Sequence, residues 1–210
     1  MKIFAIELSS QHGSMALTDA DNVVFEKSWV ENFKNRQQLF DALAEVDVDW
    51  DSVDAFVVGR GPGAFSGMRI SFSLINALAA PRGKPVYALN SGAALAVQMG
   101  APRTVVVGDA RRNKVWAGFF VGSELEKQFQ LLDRDELADF VPPDALVVSP
   151  DYDRLVELLD HFETIKRSVF PTAGTLSKLA MERLKNKRSF EAFEPLYMHP
   201  PVFIAPRFPQ

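Results

Sequence analysis

The chain contains no cysteine among its 210 residues. That removes disulfides, a thiol nucleophile and thiolate metal ligands together, and it fits a reducing compartment. Histidine is scarce: His12, His161 and His199 are the whole set. No two of them share one face of a helix as zinc-protease ligands do, so metal chemistry finds little support. There is no Gly-x-Ser-x-Gly elbow for a serine nucleophile, and no Gly-Lys-Ser/Thr to place a lysine on a phosphate. No apolar run approaches the ~20 residues that span a bilayer. Glu7 interrupts the opening apolar run too early for a signal peptide, so a cytoplasmic location without membrane contact is expected. Basic charge is also short: 23 Lys and Arg face 27 Asp and Glu, for a formal net charge of -4. Phosphate contacts supply most of the affinity for nucleic acid, so RNA binding by this chain alone is disfavoured.

What is present is an ordinary globular balance, 47% hydrophobic and 24% charged. Residues 2–9 read as a buried strand. Residues 14–18 and 22–30 read as two more, joined by turn chemistry at Asp19-Ala20-Asp21-Asn22. An amphipathic helix is expected over 33–46, with Leu39, Leu43 and Val46 on one stripe. A strand at 54–59, a helix from Ser66 to Ala80, a strand at 84–89 and a helix at 91–98 complete a β-β-β-α-β-α-β-α order. The pattern then restarts. Thr104–Asp109, like Ile3–Glu7, is an apolar strand ending in one carboxylate, followed by a polar turn and a second strand, 114–120. A short helix near 134–140, a strand at 145–148 and helices at 152–161 and 174–186 follow. Two lobes that begin alike point to an internal duplication. The expected division is an N-terminal lobe over 1–102, a smaller lobe over 103–188 and a Pro-rich tail over 189–210. Pro195, Pro200, Pro201, Pro206 and Pro209 keep the tail from being one helix, and it is expected to be extended and to pack back on the first lobe.

The most distinctive run is Gly61-Pro62-Gly63-Ala64-Phe65-Ser66-Gly67-Met68-Arg69-Ile70, between a strand and a helix. It has two readings. Exposed N–H groups at a helix start attract anions, which makes Gly61, Gly63, Ser66 and Gly67 candidate phosphate contacts. Alternatively the glycines permit a tight turn and Ser66 caps the helix. The helix itself is apolar almost all round, with only Arg69, Ser73 and Asn76 forming a polar strip. It is therefore buried on more than one side, by its own lobe or by a second protein. Leu39, Leu43, Met68, Phe72 and Ile75 are the candidate interface residues, for a partner or for a second copy of the chain. Asp109-Ala110-Arg111-Arg112 ends a strand and reads either as a binding site or as a hairpin salt bridge.

Three segments resemble the TsaB (YeaZ) family. The glycine run resembles the family's Gly-Pro-Gly-Ser-Phe-Thr-Gly-Leu-Arg-Ile signature. Asp109-Ala110-Arg111 resembles its Asp-Ala-Arg segment, again followed by a strand with an aromatic, here Trp116. Glu194-Pro195-Leu196-Tyr197 resembles its C-terminal Glu-Pro-x-Tyr. Glu7, Ser9, Arg69, Asp109, Arg111, Glu194 and Tyr197 are the motif positions. The resemblance implies an α/β fold of the actin/Hsp70/sugar-kinase-like (ASKHA) type, two related lobes with the second reduced. It implies a non-catalytic subunit, without a cofactor, that supports a TsaD-type enzyme and, through the complex, a TsaE-type ATPase. Together these attach threonylcarbamoyl to the adenosine beside the anticodon of tRNA, so tRNA contact is indirect. Chains of this family have been named glycoproteases, and the lack of a His-x-x-x-His pair argues against that activity. The alternative is an ATP-dependent phosphotransferase of the same fold. Such an enzyme needs glycine-rich loops in its second lobe, and after Gly122 the chain has one glycine, Gly174. Three departures stand out. The family's first strand ends Asp-Thr-Ser, whereas this one ends Glu7-Leu8-Ser9. Its His-Ser before the first helix is Asn35-Arg36 here, and its Tyr-x-Arg is Tyr197-Met198-His199.

Overall fold

The computed structural model describes residues 1–31 and 37–199. Asn35 and Arg36, the first turn of the helix expected from residue 33, and the tail prolines from Pro200 onward lie outside the described residues. Two sheets organise the rest. The first comprises β1 (Lys2–Glu7), β2 (His12–Asp19), β3 (Asn22–Val30), β4 (Ala55–Gly59) and β5 (Val86–Leu89), in the order β3-β2-β1-β4-β5. The second comprises β6 (Arg103–Arg111), β7 (Lys114–Val121), β8 (Glu124–Asp133) and β9 (Leu146–Val148), in the order β8-β7-β6-β9. In each, an antiparallel hairpin is extended by a parallel strand: β1 with β4, β6 with β9. The duplicated start legible in the sequence is thus a duplicated sheet.

Strand side chains alternate between faces, so a strand covered on both sides reads as a continuous apolar run. β1 shows this directly. Ile3 and Ala5 enter one core, Phe4 and Ile6 another. β4 divides its residues the same way, Ala55 and Val57 against Phe56 and Val58. The outer face of the first sheet carries α1 (Gln37–Ala44) and α2 (Phe65–Ala79). The outer face of the second carries α4 (Leu137–Phe140) and α5 (Tyr152–Leu159). Between the sheets lie α3 (Ser91–Met99) and α6 (Ala173–Lys185), in a core that takes Ile3 and Val57 from the first sheet and Val106, Trp116 and Phe120 from the second. The layers therefore run helix, sheet, helix, sheet, helix.

The last helix among the described residues, α6, belongs to the second lobe by its place in the chain, yet it lies against the first sheet. Thr172 caps it, its side chain accepting from Thr175 N at 3.2 Å. Two further N-terminal donors are taken by the first sheet: Ala173 N donates to Ser14 Oγ at 2.9 Å and Gly174 N to Glu26 Oε1 at 3.1 Å. A turn on, the Ser177 and Thr18 hydroxyls meet at 2.5 Å. Beyond the helix the chain returns over the first lobe. Glu191 bridges Ala88, Phe190 stacks on Tyr87 at 4.2 Å, and Leu196 N donates to the Arg60 carbonyl at 2.8 Å.

Three sequence expectations are corrected. A ten-residue strand, β8, fills 124–133, where none was expected. It is an edge strand, Glu-Leu-Glu-Lys-Gln-Phe-Gln-Leu-Leu-Asp, and only Leu125, Phe129 and Leu131 turn toward the central core. A register shift against β7 breaks its alternation, so the period-two pattern is blurred. The first helix ends at Ala44, short of the expected 46. The second begins at Phe65 with Ala64 as its cap residue, so Ser66 sits in the first turn and does not cap. Among the described residues no helix is long and apolar enough to cross a membrane.

Because α6 is wedged between sheets, truncating its fully buried Leu176 leaves a cavity that neither sheet can collapse into. Leu176→Ala is expected to lower unfolding stability by about 2–5 kcal/mol. Urea denaturation measures it, and a loss below about 1 kcal/mol would contradict the shared-core assignment.

Candidate functional site

Where the carboxyl end of β1 faces the β6–β7 hairpin, the two lobes leave a cleft of about 390 Å³. Ser9, Ser10 and Gln11 line it from the β1–β2 turn, and Gly63 to Phe65 from the glycine run. Asp109 and Arg111 line the opposite wall with Asp151 and Arg154, and Tyr197 to His199 cross the mouth. The hairpin is tight. Arg111 pairs with Lys114, and the two residues between them, Arg112 and Asn113, have φ of 53 and 59. That is the backbone of a type I′ turn, whose twist suits a two-residue hairpin.

The glycine run is explained by close approach to β1. A Cβ on Gly63 would sit 2.0 Å from the Ser9 carbonyl oxygen, and one on Gly67 would sit 1.9 Å from that of Leu8. Ala64 N donates to the Ser9 carbonyl at 2.7 Å, which takes up a donor at the start of α2. The Gly61–Pro62 peptide is cis. Of the candidate anion contacts, Gly63 alone lines the cleft. Gly61 and Gly67 are buried beneath it, and Ser66 faces outward from α2.

Glu7 does not line the cleft either. It is fully buried, and its carboxylate accepts from Ser9 N at 2.6 Å and from Ser91 Oγ at 2.6 Å. Ser91 Oγ in turn accepts from Gly61 N at 3.0 Å. The first strand, the glycine run and the start of α3 are thus tied through one carboxylate. Gly59 makes the room: a Cβ there would lie 1.7 Å from Glu7 Oε2. Burial pushes the Glu7 carboxyl above its ordinary range, against the pull of the Ser9 and Ser91 hydrogen bonds.

The opposite wall is a compensated charge cluster. Asp109 Oδ1 accepts from Arg111 N at 2.9 Å, and its Oδ2 lies 3.1 Å from the Arg111 guanidinium and 3.9 Å from that of Arg154. Asp151 accepts from Asp109 N at 3.0 Å and lies 3.7 Å from Arg154. Burial also raises the Asp151 carboxyl. Two carboxylates and two guanidiniums leave little net charge for a phosphate. The expected hairpin pair, Asp109 with Arg111, is present. Asp151 and Arg154 were missed; Ser149-Pro150-Asp151 before a helical pattern was the available signal for the first, and Arg154 had none.

Of the remaining motif residues, Arg69 and Glu194 lie outside the cleft and Tyr197 lies at its mouth. Arg69 is exposed on α2 with its guanidinium 5.4 Å from the centroid of the Phe65 ring, and Glu194 is 3.7 Å from Arg60. Tyr197 packs on Phe65 at 4.7 Å, and His199 Nε2 meets the Ala110 carbonyl at 2.6 Å. The candidate interface residues need correction. Leu39, Met68, Phe72 and Ile75 are buried within the first lobe, and Leu43 is half-buried. The reason is that one helical stripe of α2 turns inward, Phe72 and Ile75 into the outer core of the first lobe and Met68 against Gly61. A second stripe, half-buried Ile70 and Leu74, stays outside. With Phe40 and Arg69 it borders a shallow groove of about 470 Å³ between α1 and α2, and Phe40 and Phe65 are 56% and 57% exposed.

Residues 36–131 match the family model for TsaD, tRNA N6-adenosine threonylcarbamoyltransferase. An uncharacterized protein of Mycobacterium tuberculosis is 40% identical over 82 residues, 39% of this chain and 38% of that protein. One of Mycobacterium leprae is 39% identical over 79 residues, 37% of this chain and 22% of that protein. The chain thus spans well under half the length of the curated relatives it matches. Among solved structures, YeaZ from Pseudomonas aeruginosa superposes with a TM-score of 0.77 at 25% identity, covering 93% of this chain and 100% of that one. A second, an uncharacterized protein with similarity to peptidase YEAZ from Pseudomonas aeruginosa, gives 0.79 at 27% identity, covering 94% and 99%. The ethanolamine utilization protein EutJ from Carboxydothermus hydrogenoformans shares the fold alone, with a TM-score of 0.51 at 10% identity over 85% of this chain and 89% of that one. The two-lobed architecture is of the ASKHA type.

The raised Glu7 carboxyl gives a pH signature. Between the unfolded and folded pKa values the folded chain holds a proton that the unfolded chain has released. Stability from this group therefore falls as pH rises through that window, from the ordinary glutamate range upward, and the deficit is complete above the folded value. Glu7→Gln is expected to flatten this part of the stability–pH profile, leaving the slope from Asp151. Chemical denaturation at a series of pH values tests it; parallel profiles for the two proteins would refute the assignment.

Proposed function

Because the chain is of the TsaB (YeaZ) type, we propose that it is a non-catalytic subunit supporting a TsaD-type enzyme in the threonylcarbamoylation of adenosine beside the anticodon of tRNA. The observation that carries the non-catalytic part is the position of Glu7. A phosphotransferase needs carboxylates open to the metal that carries its phosphates, and the first-strand carboxylate is the one the sequence offers for that place. Here that carboxylate is sealed under Ser9 and Ser91, and the four charges across the cleft already compensate one another. The same arrangement weakens the phosphotransferase alternative.

The partner-docking part rests on the α1–α2 groove. Exposed Phe40, half-buried Ile70 and Leu74, and the Arg69 guanidinium form the kind of apolar centre with a polar rim that seats a helix of another protein. The TsaD-type subunit is the proposed occupant, and a second copy of the chain is the competing one. A TsaE-type ATPase joins through the complex. The formal charge of -4 places RNA affinity mainly in the partners.

Reconstitution tests the role. TsaD-type and TsaE-type proteins, threonylcarbamoyl-adenylate and tRNA are combined with and without this chain, and modified adenosine is measured by mass spectrometry. Product is expected only in the complete mixture; equal product without this chain, or product from this chain alone, would overturn the proposal. Phe40→Glu should weaken association with the TsaD-type partner by about 1–3 kcal/mol while leaving the melting temperature nearly unchanged. Calorimetric titration against that partner reads the effect.

A further inference from the structure

A second inter-lobe cavity, of about 300 Å³, lies beyond the carboxyl ends of β4 and β5, where they face β8 and the start of the returning chain. Crevices beyond the carboxyl ends of parallel strands are the usual place for ligands in α/β sheets. The two residues that leave these strands, Arg60 and Asn90, both line it and are joined at the backbone, since Arg60 N donates to the Leu89 carbonyl at 2.9 Å.

Each carries an unmet demand. Asn90 is 5% exposed and occupies the cap position of α3, yet its side chain makes no capping hydrogen bond. Its Nδ2 donates to Glu191 Oε1 at 3.1 Å, and its buried Oδ1 has no partner among the described residues. Arg60 has a side chain only 12% exposed. Its one ion pair among the described residues is to Glu194 at 3.7 Å, a carboxylate 70% exposed and hence well screened. Its buried Nε also lacks a hydrogen-bond partner among the described residues. By contrast Arg183, at the same cavity, is matched by Glu191 at 2.8 Å. A buried guanidinium this weakly compensated favours an anion, and a buried amide oxygen without a donor favours an N–H or O–H group. Phe129 supplies an apolar wall.

We propose that this cavity binds a small carboxylate that also carries an amino or hydroxyl group. Its carboxylate lies on Arg60 and its donor on the Asn90 Oδ1. The site is separate from the cleft at Asp109 and from the α1–α2 groove, and it stands whether or not the partner role holds.

The test is amide chemical-shift mapping of the full chain with glycine, glycolate and acetate as probes. Glycine or glycolate is expected to give saturable shifts in the ~millimolar range at residues 60, 90, 124–129 and 189–191, with acetate roughly tenfold weaker. Binding of one and not the other distinguishes an amino acid from a hydroxy acid, and either upholds the site. Asn90→Leu should weaken the better probe by roughly tenfold while leaving acetate unchanged, a split that a merely structural asparagine would not produce. Arg60→Met should abolish all binding; if that variant fails to fold, the wild-type comparison still decides. No saturable shift, acetate as tight as the better probe, or shifts centred on residues 9–11 and 109–111 would each overturn the proposal.

Discussion

Everything in this molecule hangs on one layer of two helices that must satisfy a sheet on each side. α3 meets the demand with small residues: Gly92, Ala93, Ala94 and Ala96 are buried, and a Cβ on Gly92 would sit 2.7 Å from Phe129. α6 meets it by anchoring its N-terminus in the first sheet before presenting Leu176, Leu179 and Ala180 to the shared core. Because the last helix in the chain completes the first sheet, neither lobe is closed without the other. The position of every group in the cleft between them follows from that packing.

This constraint explains which parts were legible in the sequence. β1, β4, β6 and β7 are covered on both faces, so they appear as unbroken apolar runs. β8 is an edge strand with most of one face in solvent, so its charges and its irregular register hide it. The placement of α6 was hidden for a different reason. Order along the chain says nothing of which sheet a helix will lie on, and the residues that hold it, Ser14, Thr18 and Glu26, are each unremarkable alone.

The site was legible in its parts and not in its geometry. Ser9, Gly63, Asp109, Arg111 and Tyr197, widely spaced in sequence, do meet at one cleft. The glycine run looked like an anion cradle, and it is mainly a place where α2 rides on the carbonyls of Leu8 and Ser9. Helix periodicity showed α2 to be apolar nearly all round. It could not say which stripe the lobe takes for itself, and the buried stripe of Met68, Phe72 and Ile75 was mistaken for the free one. Only the angular offset of Ile70 and Leu74 from that stripe, together with exposed Phe40, marks what is left for another molecule.

The first-strand carboxylate connects these observations. At the end of β1 a carboxylate can either face the cleft or turn inward. With its extra methylene relative to aspartate, Glu7 turns inward and reaches Ser91 Oγ, and the absent side chain at Gly59 is what admits it. Burying that group raises its pKa and costs stability at neutral pH, a cost offset by hydrogen bonds that lock the glycine run and α3 to β1. The inward turn gives rigidity at the base of the cleft. Rigidity there also holds the start of α2, because the Ser9 carbonyl that receives Ala64 N sits two residues from Glu7. Through those ties Glu7 steadies the helix that borders the exposed apolar groove.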